Sequence, residues 1–264
     1  MNNTYFPKHS ENRMKNEGGV EAARNYFLTG QNRVLYHLVK ERFTWMNKYI
    51  KADDKVVVEL GCGAGLSKQF IETGNLILTD VAEYEWVDRY MDALNVDYPD
   101  GSMDVIICSH MLHHLANPAA FFDDISRKLR SGGRIIIQDI YVCTLMKMAL
   151  RLMRHEGWSE SVNVFDREVV CNDPSDPWSA NCAIPKLLFG GGHRISKEFP
   201  QYRIIKRTRN ECFLFFLSGG VIAKTFYLPL GDKGAEFIKK IDQILTKAFP
   251  SFFACGISVA IQKK

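Results

Sequence analysis

The stretch VVVELGCGAGLSKQF, Val56–Phe70, decides the fold. It opens with a run of β-branched and apolar residues, which is typical of a strand that is buried on both faces. Glycines follow at every second position, Gly61, Gly63 and Gly65, and the pattern then predicts a helix, GLSKQFIETG, which Gly74 ends. Glycines at a strand-to-helix turn let the backbone adopt positive φ and pass close beneath a ligand, while the helix N-terminus offers free N–H groups. We therefore predict a ligand-binding turn at the end of a buried strand.

An acidic residue at a defined distance supports this prediction. The next strand, NLILTD, ends in Asp80, which stands 19 residues after Gly61. An acid at about this distance can accept hydrogen bonds from both ribose hydroxyls of a nucleoside. Together, the strand, the glycine turn and the spaced acid indicate a cofactor that contains a nucleoside. Glu83 and Glu85 stand close enough to be alternatives for the ribose acid.

Strands and helices alternate through the first half of the chain. WVDRYMDA is predicted as a third strand, reached by a minimal crossover without a full helix between Asp80 and Trp86. DVIICS and GRIIIQDIYV are further strands, and a helix between them begins at Asn117 as N-cap with Pro118 at its first position. This alternation predicts an α/β fold with a parallel sheet that is covered by helices on both faces.

The chain is predicted to be a single domain with three parts. These parts are an N-terminal helical cap (residues 1–50, frayed to about residue 18), a cofactor-binding core (51–140), and a lid and acceptor region with the last strands of the same sheet (141–264). The lid itself is predicted over residues 141–192, together with the apolar patch Phe213–Tyr227, with Gly190–Gly192 as a hinge. The alternative is a static extension that only completes the core.

The composition restricts the classes of protein to which the chain can belong. The 264 residues are 46% hydrophobic and carry a net charge of +4, which is ordinary for a globular protein and too modest for a dedicated nucleic-acid binder. The seven cysteines form no CxxC pair, which favours a reduced compartment. The N-terminus lacks the apolar segment of a signal peptide, and no uninterrupted run of 18 apolar residues occurs. We expect a cytoplasmic location.

The glycine spacing, E-x-G-x-G-x-G, resembles motif I of the class I S-adenosylmethionine-dependent methyltransferases rather than the G-x-G-x-x-G of dinucleotide sites. The stretch DALNVDYPDGSMDVIICSHMLHHLANPAAFFDDISRKLRSGGRIIIQD is similar to the form found in the type 11 methyltransferases. The resemblance covers roughly residues 56–139. It implies S-adenosyl-L-methionine as cofactor and methyl transfer as the activity. It also implies a Rossmann-like, seven-stranded, mostly parallel sheet, in which SVAIQ is an antiparallel strand beside strand 5, GRIIIQDIYV.

The resemblance also implies roles for individual residues. Its cofactor-binding set is Glu59, Gly61, Cys62, Gly63, Gly65, Asp80, Asp92, Ala93 and Ser109. Within that set, Glu59 orders the glycine turn near the α-amino group, Asp80 binds the ribose and Asp92 binds the adenine amine. Ser109 and His110 lie beside the methionine and the methyl group.

A base is needed if the acceptor loses a proton, and histidine suits this role near neutral pH. The candidates are His110, His113, His155 and Glu156, and His110 and His113 are preferred as catalytic residues. A metal is not predicted at these histidines. His114 follows His113 directly and is expected to point away from it, and no carboxylate or cysteine stands at ligand spacing.

The acceptor is predicted to be a small molecule, a sugar or a lipid-linked intermediate, methylated on oxygen or nitrogen. Aromatic residues of the lid suit an apolar or amphipathic acceptor: Trp158, Phe165, Trp178, Phe189 and the run Phe213–Phe216. One alternative is a degenerate methyltransferase fold that serves as a scaffold or peripheral membrane protein, with the patch Phe213–Leu230 touching the membrane. An NAD-dependent oxidoreductase is disfavoured by the glycine spacing.

Overall fold

The computed structural model describes residues 3–7, 19–154, 156–192, 194–222 and 225–264. Its strands are β1 (Thr4–Tyr5), β2 (Val57–Leu60), β3 (Leu76–Asp80), β4 (Arg89–Tyr90), β5 (Met103–Ser109), β6 (Leu129–Ile140), β7 (Trp158–Ser159), β8 (Tyr202–Asn210) and β9 (Gly256–Lys263). Its α-helices are α1 (Val20–Leu28), α2 (Arg33–Asn47), α3 (Pro118–Lys128), α4 (Thr144–Met153), α5 (Ile184–Phe189), α6 (Arg194–Glu198), α7 (Phe213–Leu217), α8 (Asp232–Ala248) and α9 (Pro250–Phe253).

Seven strands form the central sheet in the order β4-β3-β2-β5-β6-β9-β8. The first five run parallel, and β9 lies antiparallel between β6 and β8. The predicted α/β fold is therefore confirmed, including the antiparallel strand SVAIQ, which lies within β9 beside the fifth strand of the predicted series. The carboxyl ends of the parallel strands meet at one edge, where such sheets bind ligands.

Helices cover both faces of the sheet because successive strand residues point to opposite sides. Val57 and Val105 pack in one apolar cluster with Leu38 of α2. Val58 and Ile106, one residue further along the same two strands, pack in the other cluster with side chains of α3. Both clusters are closed to solvent, so the strands that carry the site are rigidly held.

The helix predicted after the glycine turn is wrong in length. Only a 3₁₀ turn forms there, over Leu66–Gln69. Asn47, at the end of α2, explains the early stop, because its side-chain amide donates to the carbonyl of Phe70 and accepts from the N–H of Glu72. In a continuing helix, the Phe70 carbonyl would pair with the N–H of Gly74 and the Glu72 N–H with the carbonyl of Lys68, so the Asn47 amide replaces both helical partners. Free N–H groups at a long helix therefore contribute less to this site than the sequence indicated.

The third strand is short, as is the crossover that reaches it. β4 has two residues, which pair with Thr79 and Asp80 of β3. No helix forms between Asp80 and Trp86, as predicted. The helix with Asn117 as N-cap is also confirmed, since its side chain accepts from the N–H of Ala120 at 2.8 Å.

The amino-terminal residues differ from the expected frayed segment. β1 pairs with β7 as an antiparallel ribbon, and the ring of Tyr5 lies 4.9 Å from that of Trp158. The rest of that prediction falls on residues 1–2 and 8–18, which lie outside the described residues. This ribbon ties the start of the chain to the segment that follows β6.

The apolar stretch after β8 forms the short helix α7 rather than more strand. The buried carboxylate of Asp242 accepts hydrogen bonds from the N–H groups of Cys212, Phe213 and Leu214 and so begins this helix. Among the residues described, we find no helix with the length and apolar character needed to cross a bilayer.

Candidate active site

The glycine turn adopts a backbone that L-residues with side chains avoid. Gly61, Gly63 and Gly65 have φ angles of 67°, 49° and 61°. A Cβ on Gly61 would lie 2.7 Å from Cγ of Met111, whereas the nearest atom of the described residues to a Cβ on Gly63 is 4.0 Å away. The protein's own packing therefore requires glycine at Gly61. At Gly63 the space is open, which suits close approach of a ligand.

Asp80 is bonded directly to this turn. Its carboxylate accepts from the N–H of Gly63 at 2.8 Å and from the N–H of Ala82 at 3.0 Å. The alternatives Glu83 and Glu85 are exposed side chains. The structure thus brings Asp80, rather than either glutamate, to the turn.

Trp86 and Arg24 flank the turn on its outer side. The indole N–H of Trp86 donates to the carbonyl of Gly63 at 2.8 Å, and its ring stacks on Tyr84 at 4.9 Å. The guanidinium of Arg24, from α1, lies 4.6 Å from the indole ring and donates to the carbonyl of Ala64. No local pattern indicated Arg24, because only the fold brings α1 to the turn.

Glu59 lies beneath the turn, 2% exposed, and accepts a hydrogen bond from the hydroxyl of Ser67. Burial raises the pKa of Glu59 to about 8, and the nearby negative charge of Asp80 adds to the effect, while the Ser67 bond opposes it. Glu59 is therefore protonated at neutral pH in the free protein. A cationic ammonium group placed beside it would favour the ionised form.

This raised pKa predicts how stability changes with pH. The folded protein retains a proton that the unfolded chain loses above pH 4.5, so the contribution of Glu59 is full below pH 4.5 and is lost as pH rises to about 8. Glu59→Gln removes the titration and keeps an acceptor for Ser67. We expect the melting temperature of the variant, measured relative to that of the wild type, to rise steadily between pH 5 and 8. Thermal melts across this range, with exposed Glu72→Gln as control, measure the difference. A constant difference would contradict a buried neutral Glu59.

The residues predicted to bind adenine lie at the neighbouring strand end. Asp80 pairs with Tyr90, and Asp92 follows two residues later with an exposed side chain that accepts from the N–H of Leu94 at 2.8 Å. Ala93 is half-buried. Asp92 and Ala93 therefore stand at the same edge of the sheet as Asp80, without a hydrogen bond to the turn.

Ser109 and His110 stand at the carboxyl end of β5, beside the glycine turn of β2. His110 has a φ of 55°, an uncommon backbone conformation for a residue with a side chain, and its N–H donates to the carbonyl of Gln138 at 2.7 Å. Its Nε2 is buried and has no hydrogen-bond partner among the described residues. Burial, with a contribution from the charge of Arg42, lowers the pKa of His110 well below its usual value. His110 is thus a neutral imidazole with an unsatisfied nitrogen.

A buried ion pair that the sequence did not reveal supports this region. Arg42 of α2 donates two hydrogen bonds to the carboxylate of Glu211, both 2.7 Å, and Gln138 donates to the same carboxylate at 2.9 Å. Glu211 also has a positive φ of 56°. Gln138 joins this pair to His110, since its backbone carbonyl holds the His110 N–H.

His113 belongs to a different arrangement from His110. Its Nδ1 lies 2.5 Å from the buried carboxylate of Asp139. Burial alone would lower the pKa of His113, but the charge and hydrogen bond of Asp139, with the charge of Glu156, raise it to about 9. Burial and the charge of His113 lower the pKa of His114 to about 4. Neighbouring histidines here have very different protonation states.

The reason for excluding a metal at these histidines was wrong. Glu156 arrives from a distant part of the chain and places its Oε2 3.9 Å from Nε2 of His113. The ring of His114 lies 4.1 Å from that of His113 rather than pointing away. Cys182 also reaches the cluster and donates to Glu156 at 3.1 Å. The candidate base His155 lies outside the described residues.

Residues 156–192, termed the cover segment, pack over the turn that carries His113. Asn172 donates to the carbonyls of His113 and Leu115 at 2.8 and 2.9 Å. Of the aromatic residues suggested for an acceptor, Trp158, Phe165 and Phe189 are buried in the core. Trp178 is 48% exposed, and the phenylalanines of the run Phe213–Phe216 are half-buried. The predicted lining is therefore limited to Trp178 and this run.

A second segment approaches the glycine turn from the opposite end of the chain. Ile222 is the side chain nearest to the open space at Gly63. Asn32, the N-cap of α2, donates to the carbonyl of Ser218 at 2.7 Å and anchors this loop. The stretch FLSGG thus lies beside the predicted cofactor site.

This sheet, its glycine turn and the acid at the next strand end define an S-adenosylmethionine-dependent methyltransferase of class I, as the resemblance implied. The chain belongs to the family described as Methyltransferase domain, which it matches over residues 29–173, more than half of its length. S-adenosyl-L-methionine is the expected cofactor.

Curated relatives and a solved structure are similar to this chain. The ubiquinone biosynthesis O-methyltransferase of Azotobacter vinelandii is 21% identical over 124 residues, 40% of this chain and 53% of that protein. A thiol S-methyltransferase of Homo sapiens is 29% identical over 121 residues, 39% of this chain and 50% of that protein. The chain therefore spans about half the length of these relatives. A SAM dependent methyltransferase from Archaeoglobus fulgidus has the same fold, with a TM-score of 0.51, 21% identity, and coverage of 90% of this chain and 99% of that chain.

Proposed function

We propose that this protein transfers the methyl group of S-adenosylmethionine to a hydroxyl or thiol of a small, largely apolar molecule. The observation that carries the proposal is the pairing of the glycine turn with Asp80. His110 follows the neighbouring strand β5, and its buried Nε2 has no hydrogen-bond partner among the described residues. The names of the relatives, an O- and an S-methyltransferase, support the choice of acceptor atom. The free thiols among the described residues agree with a cytoplasmic location.

The residues at the turn fit the expected cofactor. The open space at Gly63 accommodates its approach, with Gly61, Cys62 and Gly65 shaping the turn. Asp80 would hold the ribose, Glu59 would face the methionine ammonium, and Asp92 with Ala93 would hold the adenine. Ser109 would lie beside the methionine portion. When bound, the cofactor supplies an electrophilic methyl group.

The protein's own contribution is to place the acceptor, remove its proton and exclude water. We assign Nε2 of His110 as the group that accepts the proton, because it is neutral, buried and without a hydrogen-bond partner among the described residues. His113 is already bonded to Asp139, so it holds the turn in place and is less suited to act as a base. The cover segment and the Ile222 loop would form the lid that keeps the site dry.

The alternative of a membrane-touching scaffold has less support. Leu214 is buried, and three backbone N–H groups at the start of α7 are bonded to Asp242. These contacts place the start of the apolar patch in the core. A scaffold protein would also have no need to keep Glu59, the glycine turn and Asp80 intact.

Calorimetric titration with S-adenosylhomocysteine and with NAD tests the proposal. We expect binding of the first and none of the second. Asp80→Ala should weaken S-adenosylhomocysteine binding by about 1.5–3 kcal/mol, the scale of a hydrogen bond to a charged group, while Glu85→Ala should leave it unchanged. Binding of NAD alone would refute the proposal. Transfer of a radiolabelled methyl group to matched panels of phenols, thiols and amines then identifies the acceptor atom.

A further inference from the structure

We propose that His113, His114 and Glu156 form a site for a divalent transition-metal ion of the zinc class, with one coordination position open. One ligand atom from each of these side chains lies within 4.8 Å of the other two. Ligands bound at about 2.0–2.1 Å around a tetrahedral ion stand roughly 3.3 Å apart. The three groups therefore need to approach each other by roughly 1.5 Å at most, which side-chain rotation can supply.

Both histidines are already oriented as metal ligands are. Nδ1 of His113 is bonded to the carboxylate of Asp139, and Nδ1 of His114 lies 3.1 Å from the carbonyl oxygen of Ser179. Ligating histidines almost always donate their second ring N–H to a carboxylate or a carbonyl, which fixes the tautomer and leaves the other nitrogen for the ion. In both residues, Nε2 is the nitrogen left for the metal. Two independent supporting contacts are thus in place.

Glu156 supplies the negative charge of the site. Its side chain is largely buried, and its Oε2 faces Nε2 of His113 while accepting the hydrogen bond of Cys182. Two histidines and one carboxylate are a ligand set that catalytic zinc sites use, with the fourth position taken by water or substrate. Cys182 orients the carboxylate in this arrangement.

Such an ion would join distant parts of the fold. His113 and His114 lie on the turn after β5, whereas Glu156 and Cys182 belong to the cover segment. The ring of His110 stands 6.2 Å from that of His113, so the ion would lie near the proposed base. Its open position suits the hydroxyl or thiol of the acceptor, an assignment that rests on the proposed function.

Cobalt titration of the full-length, untagged and metal-stripped protein tests the site. We expect one Co²⁺ per chain with the intense visible bands of tetrahedral coordination, displaced by Zn²⁺. His114→Ala should lower the affinity by at least about 100-fold, and Asp139→Asn by about 10–100-fold, the range for loss of a supporting contact. His37→Ala is the matched control, since His37 lies on α2 and pairs with Asp232. Glu156→Gln provides a second ligand variant of the same shape.

Absence of the visible bands, or bands that His114→Ala and Glu156→Gln leave unchanged, would overturn the site. Equal losses in His37→Ala and His114→Ala would also overturn it. Circular dichroism and S-adenosylhomocysteine binding show that each variant is folded. The two proposals fail separately, because cobalt binding requires no methyl transfer and S-adenosylhomocysteine binding requires no metal.

Discussion

Replacing Gly63 by valine is expected to abolish cofactor binding while the protein remains folded. Among the described residues, the nearest atom to a Cβ at this position is the terminal carbon of Ile222, 4.0 Å away, so these residues leave room for a side chain there. This open space is where we expect the cofactor to approach the backbone. A branched side chain would fill it, and we expect the affinity for S-adenosylhomocysteine to fall by at least about 100-fold, or roughly 3 kcal/mol. Calorimetry measures this loss.

A matched control separates this effect from backbone strain. Gly63 has a φ of 49°, so any side chain there also costs stability. Gly30→Val introduces comparable strain, because Gly30 has a φ of 68°, and no atom in the described part of the chain lies within 4 Å of its Cβ position. Both variants should melt earlier than the wild type, but only Gly63→Val should lose binding. Equal affinity in the two variants would show that the cofactor does not approach Gly63.

The features that could be predicted from the sequence are those encoded by neighbouring residues. The strand, the glycine turn and Asp80 lie within one short stretch, and the turn brings Asp80 to Gly63 as the spacing indicated. The antiparallel β9 was also predictable from its apolar pattern and its family resemblance. The helix after the turn was not, because Asn47 ends it with contacts from 23 and 25 residues away.

The histidine cluster shows what local pattern cannot supply. His113 is hydrogen-bonded to Asp139, 26 residues later in the sequence, and Cys182 is hydrogen-bonded to Glu156, 26 residues earlier. Each residue alone has an ordinary structural interpretation. Their chemistry arises only when the cover segment packs on the turn after β5, so spacing rules for metal ligands along the chain found no partner for the histidines. The Arg42–Glu211 pair was missed for the same reason.

Replacing His110 by asparagine is expected to slow methyl transfer without weakening cofactor binding. Asparagine is among the residues that best tolerate the positive φ of 55° found here, so the backbone should be retained. The variant removes the buried Nε2 that we assign as the base. Loss of a general base typically costs about 10²–10⁴-fold in rate, and we expect a decrease in kcat within this range for a weakly acidic hydroxyl acceptor. His37→Asn is the control, because His37 pairs with Asp232 on another helix.

The acidity of the acceptor distinguishes proton removal from mere positioning. An acceptor that is already ionised at the assay pH, such as an acidic thiol or phenol, has no proton to lose. His110→Asn should therefore reduce the rate of its methylation far less than the rate for a weakly acidic alcohol. If His110 only positions the acceptor, the methylation rates of both acceptors should fall equally, since the missing contact is the same for both. Added imidazole should partly restore the rate for the weakly acidic acceptor alone, provided it reaches the vacated space. An unchanged kcat with both acceptors would show that another residue is the base. The next residue to replace would then be His113, which would act as a base after its hydrogen bond to Asp139 is released.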